Sequence, residues 1–522
     1  MVKRKLPIGG IQTFSEVRKD YDVYIDKTKH IYELASRYKA VFLSRPRRFG
    51  KSLLCSTIEA LFKGQKELFT GLAVSKTEWE WKEHPVIYID LGSGNFTEND
   101  GIDALKTKLN FQLNNFAQMY GITINNDKYP FLKFSQLITE LSKKTGQVVV
   151  IIDEYDNPLL STIDKPEVNK SIREELKGFY SVIKQNDRHI RFSFITGITK
   201  FSQVSLFSGM NQVKDISMIT EYCDICGITQ EELENNFAPE IEMYAKIHGG
   251  RDNYLDKLRE YYNGYFFVEK GMSVYNTYGL LNHFDSIAKF EPFWSKTGWP
   301  TFIVKYFEMK NVNAAELEEA EMEADDFGDY RDDSITLFPL LYQAGYLTIS
   351  GYDEVTGYYK LNYPNIEVRQ SLAKFLSRQY SKADEILKKS TSTKLVKSLL
   401  EGKPQEFFSI LKMYLNKVDY SLSSKITEYY FEFAVSNIIN MLGLRCCNEV
   451  HTANGRMDSV IFAGDYIYIF EFKIDKPVED AMWQIEDKDY VSIYADSGKK
   501  LVKVGIVFSR ELRNIVEWAV GN

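Results

Sequence analysis

The sequence predicts an α/β chain of several domains, and three observations carry that expectation. A continuous apolar run, Val148-Val149-Val150-Ile151-Ile152, ends in Asp153-Glu154, as a strand buried on both faces of a parallel sheet does. A short apolar stretch, Ala40–Ser44, enters a loop closing on Gly50-Lys51-Ser52, and residues 53–62 then read as a helix. Near the other end, two β-branched and aromatic runs flank Gly464-Asp465, and the second closes on Glu471-Phe472-Lys473. At 522 residues the chain has room for about two to four domains. Its 44% hydrophobic content is ample for their cores.

Strand, loop ending Gly-Lys-Ser, and helix is the context a phosphate-binding P-loop requires. Backbone N–H groups and the helix N-terminus then face phosphate, with Lys51 on the β/γ-phosphates and Ser52 on Mg²⁺. The loop Arg45-Pro46-Arg47-Arg48-Phe49-Gly50 departs at its first position, where Arg45 replaces the usual glycine. Its extra arginines are expected to supplement the phosphate cradle. The carboxyl end of an open α/β sheet is where ligands bind. Asp153 is therefore expected to hold Mg²⁺, and Glu154 to orient the water that attacks a γ-phosphate. The competing reading is a core strand that happens to meet an acidic loop. Residues 85–90 and 191–197 read as two further strands of this sheet. The second carries Thr196, a polar candidate for sensing the γ-phosphate.

The middle of the chain carries less chemistry. Thr229 and Glu232 are spaced as a capping box, and residues 230–263 read as helical. Irregular, aromatic-rich sequence follows through Trp299, and the acid-dense stretch 316–333 reads as a solvated helix or loop. Residues 337–345 then read as a helix ending near Gly345, followed by a strand at 347–349, a turn around 354–357 and a strand at 358–362. That is the outline of a winged helix. Asp353-Glu354 at the wing tip favours a spacer or protein contact over DNA. Residues 365–406 read as a helical, lysine-bearing link.

Gly464-Asp465 is a two-residue hairpin signal. Counting outward, Ala463 faces Tyr466 and Asp458 falls opposite Glu471. Alternation places Ile467, Ile469, Glu471 and Lys473 on one face, so two carboxylates and an ammonium end an apolar face. Opposed like charges are unfavourable in a sheet and burial adds a desolvation cost. A divalent cation relieves both, and oxygen-only ligands suit Mg²⁺ or Mn²⁺. The plain alternative is a solvated strand tip with ordinary charges.

A helix at 427–442 with Glu428 and Glu432, the hairpin, a helix with Gln484 and Tyr490, and a strand at 501–508 give the order αββαβ. With Gly455-Arg456-Met457-Asp458 and Glu471-Phe472-Lys473, this resembles the PD-(D/E)XK nuclease superfamily, whose fold is restriction-endonuclease-like. The resemblance implies Asp458, Glu471 and Glu432 around the metal. It also implies that Lys473 positions water or stabilises phosphate charge, and that Gln484 completes the site. The Pro-Asp of the family name is absent. The P-loop region together with Leu6-Pro7-Ile8-Gly9, Tyr24-Ile25-Asp26-Lys27-Thr28, Ile152-Asp153-Glu154-Tyr155-Asp156 and Thr196-Gly197-Ile198-Thr199-Lys200 resembles one bacterial family. It joins an AAA-ATPase-like domain to a C-terminal PD-(D/E)XK domain, and an arginine at the position of Arg45 is its usual form. The expected divisions are an ATPase domain at 1–225, a helical lid at 226–300, a winged-helix-like and helical linker region at 301–410, and a nuclease-like domain at 411–522.

Net charge is −7 and the pI is near 5.7, so any DNA contact has to come from local patches. The five cysteines include Cys223-x-x-Cys226 and Cys446-Cys447 without the roughly four ligands a zinc site needs; reduced thiols of a cytoplasmic protein are expected. No apolar segment approaches membrane-spanning length, and the start lacks the apolar segment of a signal peptide. The leading expectation is an ATP-dependent, Mg²⁺- or Mn²⁺-using nuclease acting on DNA. The alternatives are a nucleotide-switched protein whose C-terminal domain binds nucleic acid without cutting it, and an NTPase acting on protein partners. Oligomeric state, a homo-oligomer included, stays open.

Overall fold

The computed structural model describes residues 4–97, 101–125, 128–200, 212–296, 300–310, 320–327, 336–380, 389–415, 435–436, 438–439, 442, 444–452 and 455–521. The chain forms two compact units, Met1–Val312 with Ala320–Asn365, and Asn313–Glu319 with Ile366–Asn522. Among the described residues, no helix is long and apolar enough to cross a membrane.

In the first unit, strands β1 (Ala40–Ser44), β2 (Val86–Asp90), β3 (Val148–Asp153), β4 (Ile190–Gly197) and β5 (Lys214–Asp215) form one sheet in the order β2-β3-β4-β1-β5. Every pairing is parallel. All residues of β1 and β3 are buried, which is why both read as unbroken apolar runs. Helix Lys51–Phe62 packs on β3, as does helix Pro130–Thr145, which also packs with helices Gly101–Met119 and Pro166–Gln185. The sheet is the one the sequence predicts, except that β5 has only two residues and leaves no pattern to read.

Helices Gln230–Asn236, Ala238–Ala245, Arg251–Tyr262 and Thr277–Asp285 follow. The capping box is present: Glu232 N donates to Thr229 Oγ1 over 3.1 Å and Thr229 N to Glu232 Oε2 over 2.9 Å. These helices share a core with Leu6 and Val23. The aromatic stretch expected to be irregular holds two helices, Thr277–Asp285 and Phe293–Lys296. Asn276 caps the first through its side chain, which accepts from Gly279 N.

Helix Leu337–Ala344 ends on Gly345 at φ 85°, and strands β7 (Thr348–Tyr352) and β8 (Tyr358–Asn362) follow as an antiparallel hairpin. A third strand, β6 (Glu321–Glu323), pairs with β8, so part of the acid-dense stretch is an edge strand with only Met322 turned inward. Most of the remainder of 316–333 lies outside the described residues.

The second unit is built on the sheet β13-β12-β11-β10-β9, from strands β9 (Arg445–Thr452), β10 (Gly455–Ala463), β11 (Tyr466–Ile474), β12 (Lys500–Ser509) and β13 (Asn514–Gly521). The β10–β11 hairpin has the expected register, with Ala463 opposite Tyr466 and Gly464 at φ 57°. β9 and β13 extend the αββαβ order at either side. Of the expected helix 427–442, residues up to 434 lie outside the described residues, Glu428 and Glu432 among them.

The units divide elsewhere than at the expected 300/301 and 410/411. The 348–362 hairpin belongs to the first unit, and helices Lys389–Leu400 and Pro404–Leu415 belong to the second. Their residues Leu395, Leu399, Phe407, Phe408 and Leu411 are buried with Tyr468, Phe470 and Phe472 of β11. Burial of that apolar face makes them core, not linker.

Gly264 shows how tightly the first unit closes on its last strand. It sits at φ 89°, and a Cβ there would meet the Pro364 carbonyl oxygen at 1.9 Å. Beside it, Asn365 Nδ2 donates to Asn263 O over 2.7 Å. Gly264→Ala is expected to cost about 2 kcal/mol or more, from the left-handed backbone and the overpacking together. Thermal melting of the ligand-free protein checks it; an unchanged Tm would refute the close approach.

Candidate functional site

The carboxyl ends of β1 and β3 open onto a cavity of about 1010 Å³. The loop between β1 and its helix turns on two left-handed residues, Arg48 at φ 70° and Gly50 at φ 91°, and Gly50 is the helix N-cap. Arg47, Arg48, Phe49, Gly50, Lys51 and Ser52 line the cavity, with Asp153 and Glu154. Lys51 is almost fully buried. Its Nζ donates to Pro46 O over 3.2 Å and lies 3.6 Å from Glu154 Oε1. The lysine is therefore held by its own loop and by the acid expected to manage water. Glu154 sits at φ 51°, a strained backbone of the kind that accumulates at functional sites.

Asp153 is 2% exposed and is approached by Ser52 and by Tyr88, whose hydroxyl donates to Oδ2 over 3.2 Å. Burial first, and the neighbouring Glu154 carboxylate second, push its pKa up to about 6. A cation in reach of Ser52 and Asp153 would reverse that penalty. The donors fit Mg²⁺: a hydroxyl and a carboxylate, both oxygen.

Three of the expected nucleotide residues, Arg45, Pro46 and Thr196, do not line the cavity, and two of them turn elsewhere. Arg45 is 2% exposed; Nη1 donates to Ser44 O and Ser217 O over 2.9 and 2.8 Å, and Nη2 to Tyr222 O over 3.1 Å. Its guanidinium lies 4.2 Å from the Phe267 ring centre. This corrects the expectation that it supplements the phosphate cradle, because its two terminal nitrogens are turned to backbone carbonyls behind the loop. Thr196 is fully buried and its Oγ1 donates to Leu43 O across the sheet over 2.8 Å, so it is not a sensor facing phosphate. Pro46 contributes its carbonyl to Lys51. Arg47 and Arg48 do reach the cavity wall, Arg48 lying 4.2 Å from the Tyr278 ring centre and donating to Trp294 O over 3.2 Å.

Asp156 is the residue that sequence reasoning missed, although it closes the Asp-Glu-Tyr-Asp motif. It is fully buried and accepts from Ile198 N at 3.1 Å, from Thr199 N at 2.6 Å and from the Thr199 hydroxyl. Burial raises its pKa to about 6 in spite of those donors. Gly197 has to be glycine: a Cβ there would meet Asp156 Oδ1 at 2.3 Å. The third acid of the motif was the available signal.

In the second unit, the β10–β11 ladder runs from Ala463↔Tyr466 to Ser459↔Phe470. At the next step Asp458 Oδ2 accepts from Phe472 N over 2.7 Å, so a carboxylate takes the place of a strand carbonyl. β11 continues against β12, pairing Glu471 with Gly505 and Lys473 with Val507. Ile467 and Ile469 pack with Ile485 and Tyr490, and Glu471 and Lys473 continue that face, as alternation requires. Glu471 is 1% exposed. Lys473 Nζ donates to Glu471 Oε1 over 2.8 Å and to Gln484 Oε1 over 2.9 Å.

Gln484 comes from helix Val478–Asp487. That helix lies so close to β12 that a Cβ on Gly505 would meet Ala481 Cβ at 3.0 Å and Met482 Cγ at 3.2 Å. Tyr490, expected on this helix, lies beyond its end and donates to Arg456 O over 2.6 Å. The structure thus brings Asp458, Glu471, Lys473 and Gln484 to one strand end, while Glu432 is outside the described residues. Asp458 and Glu471 are an oxygen pair of the kind Mg²⁺ or Mn²⁺ takes.

The two sites define a P-loop ATPase domain and a nuclease-superfamily domain in one chain. Residues 7–207 match the family model of a predicted AAA-ATPase, and residues 426–518 that of the PD-(D/E)XK nuclease superfamily. The chain is 34% identical to a protein of Azotobacter chroococcum mcd 1, described as an uncharacterized protein in the vnfD 5′ region, over 100% of its own length and 99% of that protein's. It belongs to the family that pairs these two domains. Among solved structures it is similar to the Walker-type ATPase paby2304 of Pyrococcus abyssi, at 12% identity and a TM-score of 0.28 over 83% of this chain and 91% of that one. It is also similar to the Aeropyrum pernix ORC2 protein in ADPNP–ADP complexes, at 9% identity and 0.29 over 92% and 98%.

The raised pKa of Asp153 has a sign that can be measured. Its folded value lies above the ordinary 3.8, so between about pH 4 and 6 the folded state binds more protons than the unfolded one. Stability from this group is therefore lost as pH rises through that window. Asp153→Asn is expected to raise the Tm of the ligand-free protein at pH 7.5, by roughly 1–3 kcal/mol of stability, and to lose that advantage near pH 4. Parallel melting curves of both proteins from pH 4 to 8 decide it, and a pH-independent difference would refute it.

Proposed function

We propose that this protein binds and hydrolyses ATP in its first unit and uses that cycle to control metal-dependent cleavage of nucleic acid, DNA in the first instance, by its second. The observation that carries the reading is the Lys473 ammonium clamped between Glu471 and Gln484 beside Asp458. An ammonium held this way is aimed, which suits it to meet negative charge building on a phosphate. Asp458 and Glu471 would hold Mg²⁺ or Mn²⁺, which polarises a phosphate and lowers the pKa of attacking water. Gln484 keeps Lys473 in place through an acceptor that carries no charge of its own.

In the first unit, Lys51 exchanges the Pro46 carbonyl and Glu154 for β/γ-phosphate oxygens. Its release leaves Glu154 able to orient water, while Ser52 and Asp153 take the cation. The cytoplasm, where ATP and Mg²⁺ are abundant, is the compartment this chemistry suits.

Purified protein incubated with linear, circular and single-stranded DNA, in Mg²⁺ or Mn²⁺, with and without ATP, tests the proposal. Glu471→Ala is expected to abolish cutting, a loss on the order of 10³-fold or more. Lys51→Ala is expected to abolish only the response to ATP. Intact DNA under every condition, with ATP still consumed, would sink the nuclease half and leave a nucleotide-driven switch.

A further inference from the structure

We propose that Gln343 is a positioning residue for ATP hydrolysis, and that the helix–hairpin element around it is a working part of the ATPase site, not a spacer. The proposal rests on the ATPase reading above.

Gln343 lies near the end of helix Leu337–Ala344 and is buried. Its Oε1 accepts from Lys200 N over 2.9 Å, and its Nε2 donates to Phe327 O over 2.8 Å. A buried carboxamide with donor and acceptor both engaged is costly to disturb. Lys200 is the third residue after β4, and Asp156 holds the two before it through Ile198 N and Thr199 N. Asp156 stands two residues after Glu154. Gln343 and Asp156 therefore hold three successive backbone N–H groups of the chain leaving β4, and Asp156 is continuous with the acids of the nucleotide site.

Two neighbours of Gln343 reach the P-loop itself. Gly345, at φ 85°, lies so near Pro46 that a Cβ would meet the proline Cβ at 2.8 Å, and Pro46 is the residue whose carbonyl holds Lys51. Tyr342 donates its hydroxyl to Phe267 O over 3.0 Å, and the Phe267 ring underlies Arg45. Positions 342, 343 and 345 thus fix the start of the phosphate loop and the segment after β4 with respect to each other. Lys51 and Glu154 are set from those two supports, so their separation depends on this helix end. Close-packed contacts of this kind transmit displacement instead of absorbing it.

The test separates turnover from binding in the full chain. Gln343→Met keeps length and volume but removes both hydrogen bonds. It is expected to lower kcat for ATP about tenfold or more, with the Kd for a fluorescent ATP analogue within about twofold of the unmutated protein. Thr199→Val removes the hydroxyl bond to Asp156 one residue before Lys200 and is expected to move kcat in the same direction by less. It decides the matter alone if the first variant fails to fold. Unchanged kcat in the folded variants, or a fall in kcat matched by an equal loss of affinity, overturns the proposal. Lys51→Ala, run in parallel, reports on the underlying reading. If the unmutated chain turns over no ATP and Lys51→Ala binds the analogue as well as it does, the ATPase reading fails and the proposal falls with it.

Discussion

A guanidinium with almost no exposure has to be met by acceptors, and much of the first unit is arranged to meet the one on Arg45. Three backbone carbonyls, from Ser44, Ser217 and Tyr222, converge on it, and an aromatic face closes the remaining side. Leaving such a charge without partners in the interior would cost several kcal/mol. The carbonyls are drawn from two stretches of chain, the end of β1 and the segment 217–222 after β5, so both are fixed by the same requirement. The phosphate loop begins from that fixed point, and glycine freedom is not needed there. An arginine in place of the usual first glycine is thus a change of support, with the cavity-facing part of the loop left to residues 47–52.

Both candidate sites hold their lysine against an acid of their own. Lys51 lies against Glu154 and Lys473 against Glu471. Neither lysine is left as a buried charge without an acceptor. On the proposed reading, a phosphate or a cation would enter either site by exchange, replacing one compensated pair with another. The asymmetry lies in the second partner, a loop carbonyl for Lys51 and a side-chain amide for Lys473. The first moves with the loop, and the second moves with a helix.

What was legible in the sequence followed from periodicity and from short-range chemistry. The continuous apolar runs of β1 and β3, the Gly464-Asp465 turn with its register, and the Thr229–Glu232 capping box are each determined within about ten residues, and each is present. The face carrying Ile467, Ile469, Glu471 and Lys473 was fixed by alternation alone. What was not legible depends on partners far away in the chain. The direction of Arg45 is set by Ser217, Tyr222 and Phe267, and that of Thr196 by a carbonyl on β1. Helices Lys389–Leu400 and Pro404–Leu415 read as a link because their apolar residues gave no hint that β11 would cover them. A strand of two residues, β5, has no periodicity at all.

The close seat of helix Val478–Asp487 on Gly505 sets a depth, and the depth is what lets the Gln484 amide touch Lys473. A methyl group at position 505 would act as a shim under the helix, pressing on Ala481 and Met482 and stretching the contact that Gln484 makes with Lys473. Within a family built on this fold, a chain could therefore keep every acidic and basic residue of the site and still lose its alignment through one atom on a neighbouring strand. Counting site residues would not reveal such a chain; the hydrogen at the α-carbon of residue 505 would.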